Sequence, residues 1–313
     1  MSTKSTDFPT ALKNTLNDVF EATWTDEGLQ CEKVFDVETS TDAYEDELQI
    51  QGPDSIPLSS EGAVFERVEI ENIRSKRFTH VIYKGEIKVT REALDDVKYK
   101  QCTNAVKKLA EAGVRTIEQA GAANLYNMFT SELSPDGVSV FNAAHPLNNP
   151  LATAPSTTGR NLGTGTLSGP NIGAARILGR KTPDEHGSPT PFMLRQLIVG
   201  PDLEDISEAI KGTPLVLGSN NNDRNIPGSK IDEIVVLDYL AGAPTNPDKL
   251  WILRDKKKAR NKMFWRVKPE RKLVQEEGSG DWLYRLYFRL SFGSSDWRGL
   301  FGSDGSGNGT VLY

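Results

Sequence analysis

Three histidines, two cysteines and one glycine-rich segment hold most of the chemistry that this chain of 313 residues could perform. A metal site needs imidazole or thiolate ligands converging at short spacing. His80, His145 and His186 stand far apart, and none has a cysteine or a second histidine at ligand spacing. Asp184 and Glu185 beside His186 offer oxygen ligands, yet consecutive residues seldom converge on one ion, and KTPDEHGSP reads as turn chemistry. Gly163, Gly165 and Gly169 in GTGTLSG imitate a phosphate loop, but no Lys-Ser/Thr follows and no strand is expected before them, so a flexible loop is the reading. There is no G-x-S-x-G elbow. Asp95 and Asp96 fall in the first turns of an expected helix, where its dipole accounts for them. Cys31 and Cys102 lie 71 positions apart and read as idle thiols rather than a disulfide. The expectation is a protein with no catalytic residue, no cofactor and no metal. A cytosolic α/β enzyme is the rival from a different class.

Binding chemistry is better represented than catalysis. The net charge of -6 hides an asymmetry: residues 1–72 hold 17 acidic and 4 basic side chains, whereas residues 254–272 hold 10 basic and 2 acidic. Such blocks are either two solvated faces or complementary patches, the acidic arm of one copy meeting the basic strand of the next. An overall acidic balance argues against a dedicated nucleic-acid binder. Lys256, Lys257 and Lys258 are therefore candidate subunit-interface residues, as are Arg285 and Arg289 in the polar positions of a strand. Asp296, Trp297 and Arg298 join them, because Trp and Arg are interface anchors; a local salt bridge beneath a Trp lid is the alternative.

The elements that must position these residues follow from hydrophobic period. Trp282, Tyr284, Leu286, Phe288, Leu290 and Phe292 alternate with Arg285, Arg289 and Ser291, one strand of about 36 Å at roughly 3.3 Å per residue. Met263, Trp265 and Val267 alternate with Lys262, Arg266 and Lys268, so the two runs make a long hairpin. Leu12, Leu16, Val19 and Phe20 mark a short amphipathic segment within an N-terminal arm. Residues 43–62 read as acidic loop, and residues 63–70, 78–83 and 86–89 as strands separated by a polar turn near 72–77. Thr90 caps a helix through Phe129 of about 55 Å at 1.5 Å per residue, with Gly113 a possible break. Ser168 caps another helix with Pro170 in its first turn; residues 192–199, 201–210, 231–240 and 250–253 complete an α/β layer. The closing SDGSGNGTVLY reads as a flexible tail. No run approaches the roughly 20 apolar residues that span a bilayer, and MSTKSTDFPTAL lacks the core of a signal peptide, so no membrane partner is expected.

Taken in order, KGEIKVTREALDD, FNAAHPL, NLGTGTLSG, KTPDEHGSPTPFMLRQLIVGPDLEDI, LWILRDKKKARNKMFWRVKP and YRLYFRLSFGSSDWRGLFG resemble the Mu-like phage major head subunit family over residues 60–302. The resemblance implies an α+β fold of the tailed-phage and herpesvirus capsid type. Its parts would be an N-terminal arm at 1–43, an extended loop at 44–89 and a peripheral domain with a spine helix at 90–169. An axial domain would follow at 170–255, then the long peripheral hairpin at 256–293 and an axial segment and tail at 294–313. It further implies a major capsid protein of the virion, assembled in the host cytoplasm into pentamers and hexamers around double-stranded DNA. Portal and scaffolding proteins are the implied partners, with a decoration protein a further one. The family supplies no catalytic site to carry over, and no lysine and asparagine pair matches the self-cross-link of some relatives. A cargo shell of the encapsulin type is the alternative within the same fold.

Overall fold

The computed structural model describes residues 8–53, 55, 56, 58–62, 64, 65, 67, 70–90, 99–148, 158–213 and 225–307. In chain order, helix α1 (Phe8–Glu27) leads to strand β1 (Asp36–Thr39), the pair β2 (Tyr44–Gln51) and β3 (Glu71–Thr79), and β4 (Val81–Val89). Helix α2 (Tyr99–Asn127) precedes the short strands β5 (His145–Pro146), β6 (Thr158–Gly159) and β7 (Leu162–Gly165). Then come α3 (Gly169–Arg180), β8 (Gln196–Val199), α4 (Glu204–Gly212), β9 (Glu233–Val236) and β10 (Trp251–Arg254). β11 (Asn261–Gln275), β12 (Trp282–Ser294) and β13 (Leu300–Gly307) close the chain.

Alternation builds the first sheet, ordered β1-β11-β12-β4. Met263, Trp265, Tyr284, Leu286, Phe288 and Leu290 share one face and bury it against Leu16 and Phe20 of α1 and Val106, Ala110, Ile117 and Leu125 of α2. At 13 residues, β12 spans about 43 Å at 3.3 Å per residue. Pro269 lacks the N–H that a ladder needs, and β11 shifts register between Val267 and Glu270, where it sits. The described part of α2 has 29 residues, about 44 Å. It runs unbroken through Gly113, so the expected break is absent. A Cβ there would lie 2.9 Å from the Trp24 ring and 3.0 Å from Leu286, and that close approach explains a glycine costing about 1 kcal/mol in a helix. The N-cap region around Glu92, Asp95 and Asp96 lies outside the described residues.

The second sheet, ordered β7-β13-β10-β8-β9, is buried on both faces. Ile198, Val235, Ile252 and Leu300 point into the core shared with α2, while Leu197, Val199, Trp251, Leu253 and Phe301 point into a second core with α3 and α4. Burial on both sides is why the LIV and LWIL runs carry no alternation. Ser168 caps α3 by accepting from the Asn171 N–H, as its sequence predicts. The expected flexible tail is ordered through Gly307: β13 pairs with β10 and runs parallel to β7, with Ser303 Oγ donating to the Gly165 carbonyl at 2.6 Å. Tolerance of glycine at this close approach mimics a linker in sequence. Val311, Leu312 and Tyr313 lie outside the described residues.

Arg254 is the joint between the sheets. Fully buried at the end of β10, it donates to Asn261 Oδ1 at 2.7 Å, Gln196 Oε1 at 3.3 Å and Asp36 Oδ1 at 2.6 Å, so one guanidinium ties β11, β8 and β1 together.

The hairpin region differs from its expectation. The acidic segment expected as loop contains β2, and the polar turn near 72–77 is β3; of residues 63–70, those described form no strand. This ladder is held by cross-strand charge rather than apolar alternation: Arg77 makes two 2.7 Å bonds to Asp46 and lies 4.0 Å over the Tyr44 ring. A partner 31 positions away does not show in local hydropathy.

Both cysteines are free and buried. The Cys31 N–H donates to Glu118 Oε1 at 3.1 Å, tying the segment after α1 to α2. Burial raises the Glu118 carboxyl above its ordinary range, against the lowering effect of the Cys31 hydrogen bonds. A raised folded-state value means that this group's contribution is full below the unfolded value and is lost as pH rises through the folded one. Glu118→Gln is therefore expected to remove part of the stability loss on going from pH 4 to 7 while keeping an acceptor for Cys31. Urea titrations of both proteins across that range check it; parallel pH profiles would refute it.

Candidate assembly surfaces

The structure separates the sequence-predicted interface residues into three groups. Lys256 is exposed and reaches Glu233 at 3.0 Å; Lys257 is exposed; Lys258 donates to the Pro191 carbonyl at 2.9 Å and sits 5.4 Å above the Phe192 ring. Arg285 pairs with Glu86 across the β12–β4 ladder, while Arg289 is half-buried on the same face.

The third group lies inside the protomer. Trp297 is 2% exposed and stacks on His145, with ring centroids 4.1 Å apart and an interplanar angle of 7°. Arg298 is 6% exposed and donates to Glu185 Oε1 at 2.6 Å, the Pro183 carbonyl at 3.0 Å and Asp296 Oδ1 at 3.2 Å. Burial disfavours its charge, but the Asp296 and Glu185 carboxylates outweigh that and raise its pKa. These contacts correct the interface expectation for Trp297 and Arg298, since little of either side chain is left for a neighbour to touch. A β-strand end turned inward has the same composition as an interface anchor.

Around Glu185 the chain assembles a buried polar cluster. Besides Arg298, the carboxylate accepts from Arg74 at 3.3 Å, Gln49 at 3.1 Å and the Asn148 N–H at 2.7 Å. Next to it the Gln51 amide lies 2.9 Å from His186 Nε2. The loop end of the β2–β3 ladder is thus locked to the turn at 182–190, and a cleft of about 670 Å³ lined by Asp36, Gln51, His186, Lys257, Arg260 and Asp296, among others, opens beside the lock. Sequence reasoning missed Arg74, Gln49 and Asn148. The turn signal of KTPDEHGSP located Glu185 without showing its partners.

Part of the charge asymmetry is satisfied within one chain. β1 runs parallel to β11 in the register Asp36↔Lys262. Lys262 bonds Glu38 at 2.8 Å and also Glu47; Arg271 bonds Glu21. With Arg254 on Asp36, three basic residues of 254–272 meet the acidic arm in the same protomer, and these three are taken out of the set expected to pair between copies.

Among the described residues no group of three His, Cys, Asp or Glu side chains could hold a metal ion, and no helix is long and apolar enough to cross a membrane.

The phage capsid protein family model matches residues 74–302, nearly three quarters of the chain. Among solved structures, a virus-like particle from Pyrococcus furiosus shares 10% identity at TM-score 0.55, covering 93% of this chain and 98% of that one. The procapsid of bacteriophage JBD30 shares 13% identity at TM-score 0.48, covering 94% and 75%. The capsid of phage XM1 shares 10% at 0.49, covering 86% and 89%. No curated protein matches the sequence. At such identities the particle subunit speaks for the fold alone, two sheets and a long helix, and the family match speaks for descent. The chain belongs to the phage capsid protein family.

Proposed function

We propose that this chain is the major capsid protein of the Mu-like branch and closes into pentamers and hexamers of an icosahedral head around double-stranded DNA. The observation that carries the reading is the hairpin tip: Ile56, Leu58, Val64 and Phe65 are 86, 102, 90 and 100% exposed beyond a ladder whose loop end is held by the Arg74–Glu185 ion pair. Apolar side chains held away from their own core need another surface to cover them, and a ladder anchored where the loop begins makes that loop the element that reaches over the next copy. On this reading residues 1–43 are an arm and 44–89 the extended loop. Residues 90–169 and 256–293 form the peripheral part, 170–255 with 294–313 the axial part. Portal and scaffolding proteins are the further partners, the virion is the destination, and the host cytoplasm is where assembly occurs.

Negative-stain microscopy of the expressed protein tests the reading: regular closed shells are expected, and small monomers under every assembly condition would refute it. Replacing Lys256, Lys257 and Lys258 by Glu is expected to cut shell yield at least tenfold while far-UV circular dichroism stays unchanged. Normal shells from that variant would remove the lysines from the interface. A cargo shell is the second reading, prompted by the likeness to a virus-like particle. Nuclease-protected DNA inside the shell favours a head; a protein cargo favours the alternative.

A further inference from the structure

On one face of the long sheet two arginines have no partner among the described residues. β12 alternates, so while Tyr284, Leu286, Phe288 and Leu290 enter the core, Arg285, Tyr287 and Arg289 project to the other side. Arg285 is paired to Glu86. Arg289 is not: among the described residues nothing accepts from it, and its Nε is shut off from solvent. Arg266 is in the same condition, its Nε buried without an acceptor.

The ladder places the two together. Trp265 faces Leu290 and Val267 faces Arg289, which makes Arg266 the extra residue of a bulge beside Arg289. His80 senses both. Burial first, then the Arg289 charge, hold its imidazole below the ordinary value; Arg266 adds to them, and Glu45 works the other way. The His80 ring nitrogens are already occupied by Ser291 Oγ and Ser40 Oγ, each at 3.0 Å. Both residues are only half-buried, so part of each side chain stays open to a neighbour, and adjacent guanidiniums without an acceptor repel one another, an arrangement that an incoming carboxylate relieves.

We propose that Arg266 and Arg289 form a carboxylate seat filled by a second copy of this chain, through the acidic loop at residues 52–70; the proposal rests on the shell reading above. That loop carries Asp54, Glu61, Glu66 and Glu69 against the single base Arg67. Its described apolar side chains cover nothing in their own protomer, and Ile82, opposite Arg289 and 51% exposed, supplies an apolar rim for them. A nucleic-acid phosphate also fits two guanidiniums, but it brings no apolar surface, and the chain's charge of -6 opposes a polyanion.

The test is Arg266→Gln with Arg289→Gln in the full chain. The expected result is a protomer whose urea midpoint is unchanged or raised, with shell yield at least tenfold lower by microscopy. Glu61→Arg, Glu66→Arg and Glu69→Arg together are expected to fail likewise. Combining them with Arg266→Glu and Arg289→Glu is expected to restore shells. A lowered urea midpoint would make the arginines structural and overturn the proposal, as would wild-type shell yield. Absence of rescue overturns the pairing with this loop, and normal shells lacking protected DNA assign the seat to phosphate instead. Failure of the wild-type chain to form shells overturns the underlying reading rather than the seat alone.

Discussion

Arg298→Met is expected to lower the unfolding free energy of the unassembled protomer by about 3–5 kcal/mol, because it removes one partner of a buried pair and leaves the other charge behind. Arg298 and Glu185 are 7% and 6% exposed at the side chain and 2.6 Å apart. Arg74, at 16% exposure, stays within 3.3 Å of the stranded carboxylate and keeps the loss from growing further. Adding Glu185→Gln removes the second charge, so the double variant is expected to be more stable than the sum of the single losses predicts, with a coupling of about 0.5–3 kcal/mol. Urea denaturation of the four proteins measures this. A loss under about 1 kcal/mol for Arg298→Met would show that water relieves the cluster. Because the same cluster anchors Gln49 and Arg74, faster amide exchange in β2 and β3 should accompany the loss.

Trp297→Ala is the second large effect, about 3–5 kcal/mol for emptying a buried Trp site. The indole is held between two hard surfaces: the His145 ring on one side, and Gly159, where an added Cβ would come within 2.1 Å of Trp297 Cη2. His145 is itself fixed by Asp136 at 2.6 Å and Asn161 at 3.0 Å, so it has little room to collapse into the gap. The indole N–H has no acceptor among the described residues, and Trp297→Phe, which removes that donor, should cost less than Trp297→Ala. Gly159→Ala alone is expected to destabilise by about 1–3 kcal/mol through overpacking, yet to be nearly neutral on top of Trp297→Ala. Thermal melts of the three variants decide. Additive losses would place Gly159 and Trp297 in separate sites.

Elements with a strong internal period were legible in advance. The β11–β12 hairpin, the long helix and the Ser168 cap each carry their cause in neighbouring residues. β2 and β3 were not legible, because Asp46 and Tyr44 find their partner in Arg77 rather than in a buried face. The glycines of β13 looked like a linker because a strand packed closely against its neighbours and a flexible tail draw on the same residue. Asp296, Trp297 and Arg298 were recognisable as anchors, but residue type does not say whether an anchor holds the chain to itself or to a neighbour.

Composition and period were enough to define two long alternating strands and a buried α/β layer, since hydrophobic burial depends on spacing along the chain; the order of the motifs carried the resemblance to capsid proteins. Where the charges go was decided only by tertiary structure. Lys262 meets Glu38 and Glu47, Arg254 meets Asp36, and Glu185 gathers Arg74 and Arg298 across gaps of 111 and 113 positions. Ion pairing acts over a few ångströms, and a one-residue change of register redirects every partner. A single bulge beside Val267 thus leaves Arg266 next to Arg289 with no acceptor among the described residues, a juxtaposition that the alternation of the strand does not contain.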